Sequence, residues 1–167
     1  MDPKDIQFLL AYNYWARDQI LDNVAKLTSG QFLKPKEYGR GSIRNTLVHI
    51  LNAEWVWRVR CQENYSPSEF LVFDNYPTLE LIQQRWKQEE ERMNGYIREL
   101  TVQDLDRVIH YNRMGGEKEE NILGRILLHV INHGTEHRSI LARDLNEYKY
   151  SPGDLDIIHY LRTYKDI

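Results

Sequence analysis

Apolar residues recur at the spacing of an amphipathic helix in four long stretches of the chain. Because the intervals are mostly three and four residues, the apolar side chains of each stretch share one helix face. In the first stretch these residues are Ile6, Leu9, Leu10, Ala16, Ile20 and Val24. The pattern predicts long helices over residues 4–27, 42–62, 78–100 and 121–147, and a short last helix over 154–164.

The segments between these stretches lack helical periodicity. A link rich in Gly, Pro and Lys precedes Ser42, and Ser42, Thr78 and Asp154 each stand where a helix cap is expected. Before the fourth long helix, a turn at 114–116 separates two short extended pieces, which predicts a hairpin or an irregular excursion. The fold class predicted is all-α, a four-helix bundle in one domain over residues 1–167. Periodicity alone leaves its topology open.

Two polar features interrupt the apolar stripes. Asn13 lies on the apolar face of the first helix, so its amide either faces a polar pocket or bonds to a neighbouring helix. The second helix carries a second stripe of small and polar residues: Asn45, His49, Asn52, Ala53 and Val56. That stripe indicates either room for a ligand or a partly solvated edge.

Half of the six histidines fall on the fourth predicted helix, at positions 129, 133 and 137. Residues four apart lie one turn apart on the same side of a helix, so His133 and His137 can both face one metal ion. Such a pair needs a further ligand from elsewhere, and His49 is the best candidate. His129 lies a turn further away and is expected to be structural or to contact a ligand without binding the ion itself. His110 and His159 are expected at the surface.

Other chemistry finds less support. His133, Glu136 and His137 match the H-x-x-E-H pattern of inverted zincins, but neither a third carboxylate ligand nor a substrate cleft is evident. Cys61 falls on the core stripe of the second helix, where a buried, inert thiol is expected. The chain contains no G-x-S-x-G, Walker or G-x-G-x-x-G motif.

Composition narrows the class of partner. The 22 basic and 25 acidic residues give a formal charge of −3, which is not the basic surplus typical of nucleic-acid binding. The single cysteine allows no internal disulfide, and neither a signal peptide nor a membrane-spanning run is evident, so a cytoplasmic protein is expected. Four Trp and eleven Tyr indicate an aromatic core or pocket. Trp55, Trp57, Tyr12 and Tyr14 are candidates to line it, although core packing is the more common role.

Four blocks in order carry a family resemblance that covers nearly the whole chain. They are 12-YNYWARDQIL-21, 41-GSIRNTLVHILNAEWVWRVR-60, 129-HVINHGTEHRS-139 and 152-PGDLDIIHYL-161. The sequence resembles the DinB/YfiT-like superfamily of small metal-dependent four-helix proteins. Two departures are visible: Ser139-Ile140 replaces the Gly-Gln that many relatives carry after His-Arg, and His159 stands where an aromatic residue is usual.

The resemblance implies a site and a range of functions. It places the metal ligands at His49, His133 and His137, with a divalent ion, zinc or nickel, completed by water. It also implies an up-down-down-up bundle and a homodimer. Some relatives resemble transferases that conjugate small thiols such as bacillithiol to electrophiles. A metal-dependent hydrolase and a non-catalytic, stress-related metal-binding protein are the alternatives.

Overall fold

A computed structural model describes residues 1–164 of the chain. Within them lie helices α1 (Pro3–Val24), α2 (Ser29–Leu33), α3 (Ile43–Gln62), α4 (Leu79–Arg98), α5 (Leu123–Glu147) and α6 (Ile157–Thr163), and strands β1 (Val108–Asn112) and β2 (Lys118–Ile122). Two short 3-10 turns, Phe73–Asn75 and Asp104–Asp106, lie in the links. The predicted all-α class, with a hairpin before the last long helix, is confirmed.

Local sequence explains where the first long helices begin. The Asp2 carboxylate accepts a hydrogen bond from the backbone N–H of Lys4, and Asp5 accepts one from the N–H of Asp2. Pro3 starts α1, where its missing N–H has no consequence. Ser42 caps α3 as predicted, because its hydroxyl accepts from the N–H of Asn45 at 3.0 Å.

One short helix was not predicted, and the predicted starts of two helices are wrong. The link after α1 contains α2, a single turn that begins with reciprocal bonds between Thr28 and Gln31. Helix α5 begins at Leu123, since Asn121 and Ile122 are paired in the hairpin. Asp156 caps α6 in place of Asp154, because the Asp156 carboxylate accepts from the N–H of Ile158.

The hairpin leads directly into α5. Strands β1 and β2 are antiparallel, with Val108 opposite Ile122 and Asn112 opposite Lys118. The connecting turn is closed by a bond from the Arg113 N–H to the Glu117 carbonyl, and Gly116 has a φ of 87° that favours glycine. The second strand becomes the helix without an intervening link, so the hairpin lies against one end of the bundle.

The four long helices form an up-down-down-up bundle, as the resemblance implies. Helices α1 and α5 run parallel, because Met1 lies near Gly124 and Asn13 contacts Arg138 further along both. Helices α3 and α4 also run parallel to each other, as successive contacts along both show. Helices α3 and α5 are antiparallel neighbours, because Trp57 contacts His129 whereas His49 contacts His137, and this pairing brings their histidines together.

A polar layer divides the apolar interior into two cores. The core near the hairpin includes Ile6, Leu10, Met93, Ile97, Leu123 and Leu127. The core at the other end includes Ile20, Leu47, Ile82, Trp86, Leu141 and Leu145. We call the buried polar residues between them the polar layer: Asn13, Arg17, Glu54, Arg58, Glu89 and Arg138. Cys61 belongs to the core near the hairpin, and burial raises the pKa of its thiol to about 12, as expected for an inert thiol.

Candidate metal centre

The side chains of His49, His133 and His137 converge between α3 and α5. The Nε2 atom of His49 lies 2.9 Å from Nε2 of His133 and 3.1 Å from Nε2 of His137. Each ring offers one nitrogen, and the three nitrogens lie within 4.8 Å of one another, an arrangement that can hold a metal ion. The structure thus brings together the three residues that the sequence analysis had selected from two helices.

Burial keeps these three rings neutral. Desolvation, followed by the charge of Arg40 and the neighbouring rings, lowers the pKa of His49 to about 3. Desolvation, with His137 as the next cause, lowers the pKa of His133 to about 4. The pKa of His137 is lowered by the same burial and by Arg40. At neutral pH each ring therefore carries one N–H and one lone pair.

The convergent nitrogens fit a metal ion better than they fit one another. A neutral imidazole donates through one nitrogen only, so a single Nε2 proton satisfies one of the two contacts that His49 makes. Ligands about 2.0–2.1 Å from a tetrahedral zinc ion lie roughly 3.3 Å apart, close to the separations seen here. His137 also buries its Nδ1 without a hydrogen-bond partner in residues 1–164. The donor set suits a divalent ion that prefers imidazole.

The asparagines on either side of His49 do not bond to its ring. The Asn45 side chain donates to the carbonyl of Arg40, and that of Asn52 accepts from the N–H of Leu71. Both amides therefore fasten the links before and after α3. Of this stripe, His49 alone belongs to the histidine cluster, and Asn45 and Asn52 bond to the backbone on either side of α3.

The remaining histidines lie outside the cluster. His129 packs edge-on against Trp57, with ring centroids 5.5 Å apart, and its centroid lies 5.8 Å from that of His133. It stands beside the cluster without joining it, as predicted. His110 is exposed and faces Glu120 across the hairpin, and His159 is exposed against Trp15.

The inverted-zincin interpretation finds no support in the geometry. Glu136 is exposed and does not belong to the cluster, although its charge opposes the lowering of the pKa of His137. The third member of the cluster is the imidazole of His49, whereas that interpretation needs a carboxylate.

Next to the histidines, three residues of the polar layer, Asn13, Glu54 and Arg138, form a connected network. The Asn13 side chain donates to Glu54 at 3.0 Å and accepts from Arg138 at 2.6 Å. Trp86 donates its indole N–H to the other oxygen of Glu54, and Arg138 also donates to Thr135. Asn13 is therefore bonded to neighbouring helices, the simpler of the two predicted roles.

Sequence analysis missed Glu54 and Arg138, although a signal was present. Glu54 falls on the core stripe of α3, three residues after Leu51, as Asn13 does on α1. Its side chain is buried, and this burial raises the pKa of its carboxyl group. A carboxylate in an apolar stripe predicts a buried hydrogen-bond partner, but the local pattern does not identify which residue that partner is.

Gly134 makes room for this network. A Cβ atom at this position would lie 2.7 Å from both the Asn13 Oδ1 atom and the Arg138 Nη1 atom. Contacts that short do not occur, so any side chain here would displace the bond between α1 and α5. Gly134 follows His133 directly. Adjacent residues of α5 therefore determine how closely α1 approaches and where the His133 ring lies.

The aromatic candidates divide between core and surface. Tyr12 and Tyr14 are buried, and the Tyr12 hydroxyl donates to the carbonyl of Leu155. Trp55 is half-buried with Arg85 over its ring. Trp57 is half-buried and lines two open grooves beside the hairpin. Only Trp57 thus lies both near the histidines and on a groove.

Comparison with known proteins places this arrangement in a family. The model of the DinB family matches residues 2–163. The chain belongs to the DinB family. A search of the curated proteins finds no match. In the part of this DinB-family chain that the structure describes, no helix is both long and apolar enough to cross a membrane.

Proposed function

We propose that this DinB-family protein binds a divalent metal ion through His49, His133 and His137. The convergence of three neutral Nε2 atoms is the observation that carries the proposal. Zinc and nickel are the ions we expect, since both accept imidazole ligands. A homodimer is expected from the family resemblance, and light scattering on the purified protein tests it.

We further propose that the bound ion serves the transfer of a small thiol to an electrophile. When bound, a divalent ion lowers the pKa of a coordinated thiol, which then reacts as thiolate. Three neutral imidazoles leave the charge of the ion uncompensated, so the site favours an anionic fourth ligand. Arg40, which is exposed and whose charge lowers the pKa of all three rings, adds to this preference.

The composition of the cluster favours thiol transfer over hydrolysis. Hydrolytic metal sites commonly combine the ion with a carboxylate that takes a proton from water. No carboxylate belongs to this cluster, and Glu136 is exposed and lies outside it. A thiol needs no such base once its proton is lost to solvent.

Metal analysis and a transfer assay test the two steps separately. We expect about one ion per chain in the wild type and in His129→Ala, and none in His49→Ala or His133→Ala. Bacillithiol with 1-chloro-2,4-dinitrobenzene then tests transfer: the thiolate sulfur forms a bond to the ring carbon, chloride leaves, and the thiol proton passes to solvent.

The outcomes distinguish the site from the reaction. A rate above that of the free thiol, lost with a chelator and in His133→Ala but kept in His129→Ala, supports thiol transfer. A full complement of metal with no such rate contradicts the transfer proposal and leaves the metal site standing. Equal metal content in all four proteins contradicts the site itself.

A further inference from the structure

Arg60, near the end of α3, is a buried cation without an acidic partner. Its side chain is 7% exposed, and no carboxylate in residues 1–164 lies within the 4.0 Å of an ion pair. Its one hydrogen bond runs from Nη2 to the carbonyl of Asn112 at 2.8 Å. Burial lowers the pKa of Arg60, whereas that of Arg58, which pairs with Glu89, is raised.

Two aromatic rings hold the Arg60 guanidinium in place. Its central carbon lies 4.7 Å from the ring centroid of Trp57 and 4.9 Å from that of Tyr111. Its Nε is buried without a hydrogen-bond partner. Its Nη1 also has no partner in residues 1–164 but, unlike Nε, is not sealed from solvent. A fixed guanidinium with a free donor is suited to a planar anion such as a carboxylate.

A groove opens over this guanidinium. It has a volume of about 610 Å³ and is lined by Trp57, Arg60, Phe70, Tyr111, Arg113, Met114, Gly115, Glu117 and Glu119. Phe70 and Met114 expose 47% and 51% of their surface, so the rim presents apolar area to a ligand. The volume is that of a site for a small organic molecule.

The charges around the groove are not equivalent. Glu117 and Glu119 lie exposed on the hairpin, where water screens them, and Arg113 is exposed as well. Arg60 is desolvated, so water screens its charge less than it screens the charges at the surface. An anion is therefore favoured at the Arg60 end of the groove and not at the hairpin turn.

We propose that this groove binds a small molecule that carries a carboxylate beside an aromatic or apolar body. The carboxylate accepts hydrogen bonds from Arg60, and the body packs on Trp57 and Phe70. Trp57 also contacts His129, which stands next to His133, so the groove adjoins the candidate metal centre. The proposal concerns binding alone and does not depend on the reaction at the metal.

Two probes that differ only in charge test it: 2-naphthoate and its neutral amide, 2-naphthamide. Binding is followed by the indole N–H signals in NMR spectra of metal-free protein. We expect naphthoate to bind about tenfold more tightly than the amide, as a charge-assisted hydrogen bond implies. We also expect it to shift the Trp57 signal more than that of Trp86, which is buried and bonded to Glu54.

Variants then locate the charge. Arg60→Gln should weaken naphthoate binding about tenfold and leave amide binding nearly unchanged. Arg113→Gln removes an exposed cation from the same groove and should change naphthoate binding by about twofold at most. Arg60→Lys keeps the charge without the planar fork and should fall between the wild type and Arg60→Gln.

Three results would overturn the proposal. The first is equal affinity of wild type for the acid and the amide, which needs no variant and so is immune to misfolding. The second is an unchanged affinity of Arg60→Gln for naphthoate, which would show that Arg60 only connects α3 to the hairpin. The third is a loss confined to Arg113→Gln, which would indicate attraction at the surface.

Discussion

His137 and Arg138 are consecutive and both buried, yet they belong to two polar clusters that are satisfied in different ways. Arg138 belongs to the polar layer, where it donates to Asn13 and Thr135 and Asn13 in turn donates to Glu54. His137 belongs to a cluster whose nitrogens face one another, with one nitrogen left unpaired behind. Hydrogen bonds of this kind stabilise the fold, because buried polar groups without partners are costly. Convergent imidazole nitrogens that cannot all donate to one another are instead the arrangement expected of ligands for a metal ion.

Separate substitutions of the two neighbours should have opposite effects on metal binding and on stability. We expect His137→Ala to weaken metal binding by more than the roughly 10–100-fold lost with a group behind a ligand. The unfolding free energy of the metal-free protein should change by less than about 1 kcal/mol. The substitution loses the packing of the ring, but it also removes a buried nitrogen that has no hydrogen-bond partner, and these two effects oppose each other. Calorimetric titration and urea unfolding measure the two quantities.

The matching substitution on the other side of the pair is Arg138→Met. It should lower stability strongly while the remaining metal affinity stays within about tenfold of wild type. If Arg138→Met lost the metal and His137→Ala lost the fold, the division between the clusters would be wrong.

The next largest effect is expected from Asn13, the bridge of the network. Asn13→Ala removes one hydrogen-bond partner from Glu54 and one from Arg138, both of which are buried, so we expect a loss of about 2–3 kcal/mol in unfolding free energy. For a chain of this size that is a decrease in Tm of about 5–10 °C. Asn146→Ala, at an exposed position of α5, should change stability by no more than about 0.5 kcal/mol. Equal effects of the two substitutions would argue against a stabilising network.

Two helical glycines provide a matched pair of intermediate size. Gly134→Ala places a Cβ 2.7 Å from two network atoms and should destabilise the protein by about 1–3 kcal/mol. Gly95→Ala meets no atom within 4 Å and should stabilise α4 by about 0.5–1 kcal/mol. Thermal unfolding of both metal-free variants checks the signs, and a stabilising Gly134→Ala would show that the helices do not need their close approach.

The smallest expected effect is a pH dependence that belongs to the histidine cluster. In the unfolded chain a histidine takes up its proton near pH 6.5, whereas burial in the fold lowers the pKa of His49 to about 3 and that of His133 to about 4. The unfolded state therefore binds more protons below pH 6.5, and the metal-free protein should lose stability progressively from there to about pH 3.

The control for this dependence is a histidine outside the cluster. We expect His133→Gln to flatten the decline of Tm between pH 7 and pH 5, and His110→Gln, at an exposed site, to leave it as in wild type. The same slope in all three proteins would assign the acid sensitivity to other groups.

Periodicity predicted the helices and the hairpin well because each is a local pattern. It missed α2, which is a single turn, although the pair Thr28 and Gln31 resembles a capping box. It placed the start of α5 too early because a strand leads into that helix without a break. The topology came from the family resemblance, since no single helix records which others it contacts.

The parts of the candidate site that a pattern within a single helix encodes were predictable from the sequence. The spacing of His133 and His137 indicated a pair of ligands, and the stripe on α3 indicated His49. The bonds of Asn13 to Glu54 and Arg138 join residues 41 and 125 positions apart, so no local pattern encodes them. Arg60 was missed for a similar reason, because its lack of a partner depends on the hairpin that folds over it.

The histidines that converge are separated by 84 and 88 residues, and this has a thermodynamic consequence. An unfolded chain offers two of them on one segment and the third far away, so it cannot match the affinity of the folded chain. An ion held by all three acts as a cross-link between distant parts of the chain. At a free concentration 100 times its Kd it would add about 2.7 kcal/mol of stability. The concentration of the free ion would then determine the lifetime of the folded protein as well as its activity.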